Sequence, residues 1–284
     1  MRCPRAHQTN RILNMKSFHS RYLAIVLCAF TVCGHAQADE IKIGGTGAAL
    51  GTMTLLADAF AKRQPDAKFS VLPSIGSGGG IKAVLQGAIQ IAVSSRALTE
   101  AERAAGAVEF EYGRTPFVFA TAATGKTTGL TTQNLIDIYS GSMAQWPDGS
   151  RIRLVLRPVG DSDSEIIKAI SPAMRDAKSA AEQRKGMLFT VTDQETAAAI
   201  EGTPGALGPS TLSLLLSEKR PLKALTLNGV VPDAKSLADG TYPLFKQMYI
   251  VTSPKSPPGA LAFVAFVRSA AGREILLQNG HWTK

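Results

Sequence analysis

The sequence predicts an α/β protein of two similar lobes, each a mainly parallel sheet flanked by helices, with two strands crossing between them. Three observations carry this expectation. Short apolar runs alternate with helical patterns in the order strand, helix, strand, helix, strand, the signature of parallel pairing through crossovers. The same alternation then begins again after about residue 120. Near the end, one strand and a helical pair follow, too little for a third domain, so this tail is expected to return to the first lobe.

Element by element, "IKIGG" (41–45) reads as the first strand, and "GTMTLLADAFAKR" (51–63) as a helix with Met53, Leu56, Ala57 and Phe60 on one face. "KFSVLP" is a second strand, "GIKAVLQGA" a helix beginning near Gly79, and "IQIAVSS" a third strand. Thr99 opens a helix through Gly106. "VEFEYG" and the apolar "TPFVFATAA" follow. The second set runs "TTQNLIDIYSG" (helix), "RIRLVLRP" (strand), "SEIIKAI" (helix), "MLFTVT" (strand) and "DQETAAAIE" (helix). "YPLFKQMYIVTS" (242–253) is the returning strand, before the helices "PGALAFVAFVRS" and "GREILLQNG". The expected division is 39–119 and 246–284 for one lobe and 120–245 for the other.

Residues 1–38 differ from the rest. They hold Arg2, Arg5, Arg11, Lys16 and Arg21, no acid, the apolar run "YLAIVLCAFTVCG" and then "AQA". This is the pattern of a cleavable secretory signal ending at Ala38, with Met15 as an alternative start, and it implies export to the periplasm. The apolar run is well short of the roughly 20 residues that a spanning helix needs. Loss of five basic residues takes the net charge from +9 to +4, too little to argue for a nucleic-acid partner. All three cysteines, Cys3, Cys28 and Cys33, leave with the segment, as do His7, His19 and His35 of the four histidines. Disulfides, thiolate zinc sites, a cysteine nucleophile and a histidine metal cluster are thereby excluded from the exported chain.

Candidate chemistry lies at the strand-to-helix corners. "SIGSGGG" places Ser77, Gly78 and Gly79 just before a helix, whose first N–H groups are unpaired and sit at the positive end of the helix dipole. "GGTGAALGT" offers Thr46 and Gly47 at the first corner. Ser94, Ser95 and Arg96 end the third strand, and "LRPVGDSDSE" offers Arg157, Ser162, Asp163 and Ser164. Ligands of open α/β sheets bind outside the carboxyl ends of the strands, where all four segments fall, so they are expected to close around one small anion. Each has a plainer reading: Arg157 pairing with Asp161 or Asp163, Ser162 or Asp161 capping a helix, Arg96 solvated.

The segment "GSGGGIKAVLQGAIQIAVSSRALTEAE" (76–102) resembles the periplasmic phosphate-binding proteins of ABC transporters, the PstS-like branch of the type II solute-binding superfamily. "ADGTYPLFKQMYIVTS" and, more loosely, "GTPGALGPSTLSLLL" are similar to later segments of that family. The resemblance implies two hinged lobes that enclose a dehydrated oxyanion. It also implies that Thr46 with neighbouring backbone, Ser77, Gly78, Gly79, Ser95, Arg157, Ser162 and Ser164 line the cleft. Two positions depart from the family. Ser95 stands where strict phosphate binders carry an aspartate, and the second-lobe corner reads Ser162-Asp163-Ser164 in place of Ser-Gly-Thr.

The implied protein is a monomeric receptor without cofactor, metal or catalytic group, delivering phosphate or a related oxyanion to an ABC permease. A second reading keeps the fold but makes it a sensor of a small anion, or of an organic anion or sugar, for a membrane partner; Tyr112, Trp146, Tyr242 and Tyr249 are the candidates for ring stacking. A third is a dinucleotide-dependent enzyme, from the GxGxxxG in "GGTGAALG". Against it, the following strand ends in Pro73 and Ser74 and not in an acid that would hold a ribose.

Overall fold

The computed structural model describes residues 40–283, and the predicted signal segment lies outside them. In chain order the elements are β1 (Ile41–Gly45), α1 (Gly47–Ala61), β2 (Phe69–Val71), α2 (Gly76–Gln86), β3 (Ile91–Ser94), α3 (Glu100–Ala104) and β4 (Val108–Ala122). Then come β5 (Gly129–Leu130), α4 (Thr132–Ser140), β6 (Arg153–Leu156), α5 (Ser162–Ala169), α6 (Pro172–Gln183), β7 (Leu188–Phe189), α7 (Asp193–Gly202) and β8 (Ala206–Thr211). The chain closes with α8 (Leu212–Ser217), β9 (Leu222–Ala224), β10 (Thr226–Leu227), α9 (Ala234–Ala238), β11 (Phe245–Thr252), α10 (Pro258–Arg268) and α11 (Ala270–Gln278).

The main sheet has the order β2-β1-β3-β11-β4-β8-β6-β7, with β9 also on β4. Both ends are parallel, β2-β1-β3 and β8-β6-β7, as the alternating sequence predicts. The centre is antiparallel: β11 pairs with β3 and, from Phe245 to Thr252, with β4. The two segments "VEFEYG" and "TPFVFATAA" are one long strand, because β4 first pairs with β11 and then, past Pro116, with β8 and β9. β4 and β11 are therefore the two strands that join the parallel ends.

Side chains alternate between faces along these strands, and four apolar clusters result. Ile91 and Val93 join Met53, Leu56, Phe60 and Phe263 on one face of the first end, while Ala92 meets Ile81 and Val84 of α2 on the other. In the second end Phe117 and Phe119 pack with Leu135, Tyr139 and Met174, and Val118 with Ala197, Ile200 and Leu214. The Tyr242 hydroxyl donates to the Phe117 carbonyl at 2.8 Å, fixing the chain just before β11.

Two helices start earlier than the sequence predicts. α1 begins at Gly47 and α2 at Gly76, so the glycines expected in open loops form first helical turns. Packing supplies the reason. A Cβ on Gly80 would lie 2.8 Å from the Gly45 Cα and 3.1 Å from the Gly44 carbonyl, so α2 can lie directly on β1 only without a side chain there. Gly45 has φ +141°, and a Cβ would strike the Val93 carbonyl that accepts from Thr46 N–H at 3.0 Å.

Gly80→Ala therefore overpacks a backbone contact and should cost about 1–3 kcal/mol. Gly78→Ala, whose nearest neighbour is the Arg96 guanidinium at 3.9 Å, should stabilise by up to about 1 kcal/mol through helix propensity. Denaturant midpoints at unchanged slope test the pair.

Candidate functional site

A cavity of about 260 Å³ opens at the carboxyl ends of β1, β3 and β6, lined by Thr46, Ser74, Ile75, Gly76, Ser77, Ser95, Arg157, Asp161, Ser162, Val191, Thr192 and Asp193. Four of these residues are helix N-caps: Thr46 of α1, Ile75 of α2, Asp161 of α5 and Thr192 of α7. Four positive helix ends thus face one space, each carrying roughly half a unit charge. They are satisfied differently. Thr192 caps α7 by accepting from Glu195 N–H, and the Asp161 carboxylate accepts from Asp163 N–H, whereas α1 and α2 have no side-chain cap. The open N–H groups of α1 and α2 are donors available to an anion.

Hydroxyls complete the first-end wall. Ser77 Oγ accepts from Ser95 N–H at 3.0 Å and lies 3.2 Å from Ser95 Oγ, tying the α2 corner to the end of β3. On the opposite wall the Arg157 guanidinium is 5% exposed. It donates to Asp161 through Nε (3.2 Å) and Nη2 (2.9 Å), and through Nη1 to the Thr190 carbonyl and Thr196 Oγ1, both at 3.3 Å. Burial disfavours its charge, but Asp193, Asp161 and Asp163 outweigh that and raise its pKa.

Behind Arg157 lies a second buried cation. Lys246, 3% exposed, reaches from β11 to form ion pairs with Asp163 and with Asp193 at 3.5 Å. Burial opposes its charge as well, yet the two carboxylates raise its pKa. Asp193 is held below the ordinary carboxylate range: burial pushes it up, but Lys246 and Arg157 pull harder. Asp163 goes the other way although Lys246 touches it, because full burial and the neighbouring Asp193 and Asp161 exceed the attraction of Lys246 and Arg157. The group totals three carboxylates against two cations, a deficit that the four helix ends more than offset.

Of the residues predicted from the sequence, Thr46, Ser77, Ser95, Arg157 and Ser162 line the cavity together. The other seven do not. Gly47 is the first residue of α1, where a Cβ would approach Gln194 Oε1 and lie 2.7 Å from Asp193 Oδ2, so it serves close packing of α1 against α7. Gly78 and Gly79 lie at the first turn of α2 but are not among the residues that line the cavity. Ser94 is buried and turns its hydroxyl to the Arg96 carbonyl at 2.6 Å. Arg96 forms two bonds to Glu102 (2.8 and 2.7 Å), which leaves it a surface ion pair. Asp163 is spent on Lys246, and Ser164 donates to the Arg157 carbonyl at 3.0 Å, bracing the corner from behind.

Sequence reasoning missed the corner from β7 to α7 as a wall of the site. Its signal was present: "MLFTVT" runs straight into "DQET", with Thr192 and Glu195 at capping-box spacing. Lys246 was also legible, as the lone charged residue of a mainly apolar strand. Tyr112, Trp146, Tyr242 and Tyr249 are all buried and none lines the cavity, so no stacking face for a sugar exists there. Among the described residues no group of side chains is arranged to hold a metal ion.

A cleft between two parallel sheet ends, joined by two long strands and walled by uncapped helix N-termini, hydroxyls and a buried guanidinium, defines a binding protein for a small polar solute. The chain belongs to the PBP superfamily, whose domain model matches residues 32–271. It is 28% identical over 239 residues to the phosphate-binding protein PstS of Bacillus subtilis, covering 82% of this chain and 76% of that protein. It is 26% identical over 216 residues to PstS of Borreliella burgdorferi, covering 72% and 76%. Its fold is similar to that of a substrate-binding protein from Clostridium perfringens solved with bound phosphate (TM-score 0.70, 21% identity, 87% of this chain and 100% of that one). An ABC-type phosphate transport receptor from Vibrio cholerae is also similar (TM-score 0.59, 20% identity, 86% and 100%).

Lys246→Met strands Asp163 and Asp193 without their shared cation and should cost about 3–5 kcal/mol in urea unfolding at neutral pH. Adding Asp163→Asn should recover part of that loss, because one fewer buried charge is left unpaired. The pH dependence of Asp193 has a definite sign: its carboxyl is depressed in the folded state, so its contribution is present above the ordinary carboxylate pKa and fades as pH falls through the depressed one.

Proposed function

We propose that the protein is an exported solute-binding protein that takes up protonated phosphate between its two sheet ends and presents it to an ABC-type permease in the membrane. One observation carries this reading: hydroxyls of Thr46, Ser77, Ser95 and Ser162, the open ends of α1 and α2, and the Arg157 guanidinium converge on a single cavity. Donors fixed in that way replace a hydration shell without a chemical step. The PstS relatives and the phosphate-bound neighbour support the same ligand class.

The carboxylates refine the choice of anion. Asp161 and Asp193 are acceptors on the cavity wall, so an anion there must bring a proton to meet them or suffer repulsion. Hydrogen phosphate and dihydrogen phosphate carry such protons, while sulfate and molybdate at neutral pH do not. The site thereby recovers, through Asp161 and Asp193, the acceptor that Ser95 does not supply. The cavity has room for the anion and a handful of waters, and bending at β4 and β11 would expel those waters. On this reading the lobes are residues 39–119 with 246–284, and 120–245. Export would use the first 38 residues as a signal; no helix among the described residues is long and apolar enough to cross a membrane.

Calorimetric titration with phosphate, sulfate, molybdate and a simple carboxylate tests the proposal. Phosphate should bind, with the others at least about tenfold weaker. Arg157→Ala should cost about 100-fold or more in phosphate affinity, and Asp161→Asn should narrow the preference over sulfate. No heat with any of the four anions would overturn it.

A further inference from the structure

A second feature of the surface adjoins this cavity at Val191 and extends away from it. β7 is the terminal strand of the main sheet, parallel to β6 through Val155↔Leu188 and Leu156↔Phe189. Thr190 N–H donates to the Leu156 carbonyl at 3.0 Å, so by strand alternation the N–H and carbonyl of Phe189 point away from β6, onto the open edge. The apolar side chains here are not withdrawn: Leu188 is 42% exposed, Phe189 41% and Val191 70%. Open edges invite another strand; β7 is short, only Leu188 and Phe189, but bears neither proline nor charge.

Beside β7 lies a groove of about 490 Å³ whose lining includes Arg151, Arg153, Arg184, Lys185, Met187 and Leu188, and no aspartate or glutamate. None of the four cations forms an ion pair among the described residues. Two have structural bonds, Arg184 to the Tyr139 carbonyl (2.8 Å) and Arg153 to the Pro204 carbonyl (2.7 Å), but a carbonyl leaves their charge uncompensated. Leu188 belongs to the groove and Val191 to the wall of the anion cavity, so the exposed segment runs from one to the other.

We propose that the β7 edge and its basic groove form a docking surface for an extended, acidic segment of a partner protein. Such a segment adds a strand to Phe189, sends its acidic side chains into the groove and lays its apolar side chains along the exposed face of β7. Charge decides among occupants. A second copy of this chain would set four cations against four, the groove has no aromatic ring on which a nucleic-acid base could stack, and a lipid surface is too flat to enter a concave groove.

The test uses a fluorescein-labelled peptide alternating glutamate and valine, a matched peptide alternating lysine and valine, and phosphatidylglycerol vesicles, with the purified protein in low and moderate salt. The acidic peptide should bind by fluorescence anisotropy and the basic one should not. Arg151→Glu with Lys185→Glu should weaken binding by about tenfold or more. Phe189→Pro, which removes the outward N–H and leaves every groove charge, should weaken it comparably, with phosphate affinity unchanged in both variants as the check on folding. Equal binding of the two peptides, binding of neither, or an acidic-peptide signal indifferent to Phe189→Pro would overturn the proposal. So would vesicle binding that the charge reversals abolish and Phe189→Pro leaves intact.

Discussion

Four helix N-termini aimed at one small space make an arrangement that cannot stand unbalanced. At roughly half a charge each they amount to about two positive charges, and Arg157 adds another in a position nearly closed to water. Asp161 and Asp193 on the wall and Asp163 behind it answer this field, with Lys246 set between the latter two. With the dipoles included, the cluster is left with roughly one positive charge.

The same balance explains why the site is rigid on one side and open on the other. Arg157 is gripped by Asp161, Thr190 and Thr196, while Ser164 and Lys178 bond to its carbonyl, so its guanidinium is aimed before any ligand arrives. The opposite wall is held by the Ser77–Ser95 link and by Ser74 on the Gly45 carbonyl, and presents the first turns of α1 and α2 without side-chain caps. Lys246 ties the two together: it belongs to β11, one of the two joining strands, and its charge rests on α5 and α7.

Much of this was legible from residue patterns. The parallel ends, the capped helices at Thr99 and Thr131 and the closing helical pair follow from periodicity and cap chemistry that act over a few residues. The corners at Thr46, Ser77, Ser95 and Arg157 were legible because glycines, hydroxyls and a cation cluster just past the ends of apolar strand runs. Arg96 and Ser94 misled, since nothing nearby in sequence distinguishes a cation aimed at a ligand from one held by an acid six residues on.

Sequence alone settled the alternating strands and helices of the first set, the lack of cysteine after residue 38, and which corners carry hydroxyls and a guanidinium, because each depends on residue type and short spacing; α6, β8, α8 and β9 carried no pattern that singled them out. Tertiary structure decided the rest. Only packing brings Asp193 and Lys246, 53 residues apart, to the same buried pair, starts α2 at Gly76 by seating Gly80 on Gly45, and turns Asp163 inward while Asp161 faces the cavity. Those outcomes rest on distances between remote segments and on how far water is excluded, quantities that no local pattern of residues encodes.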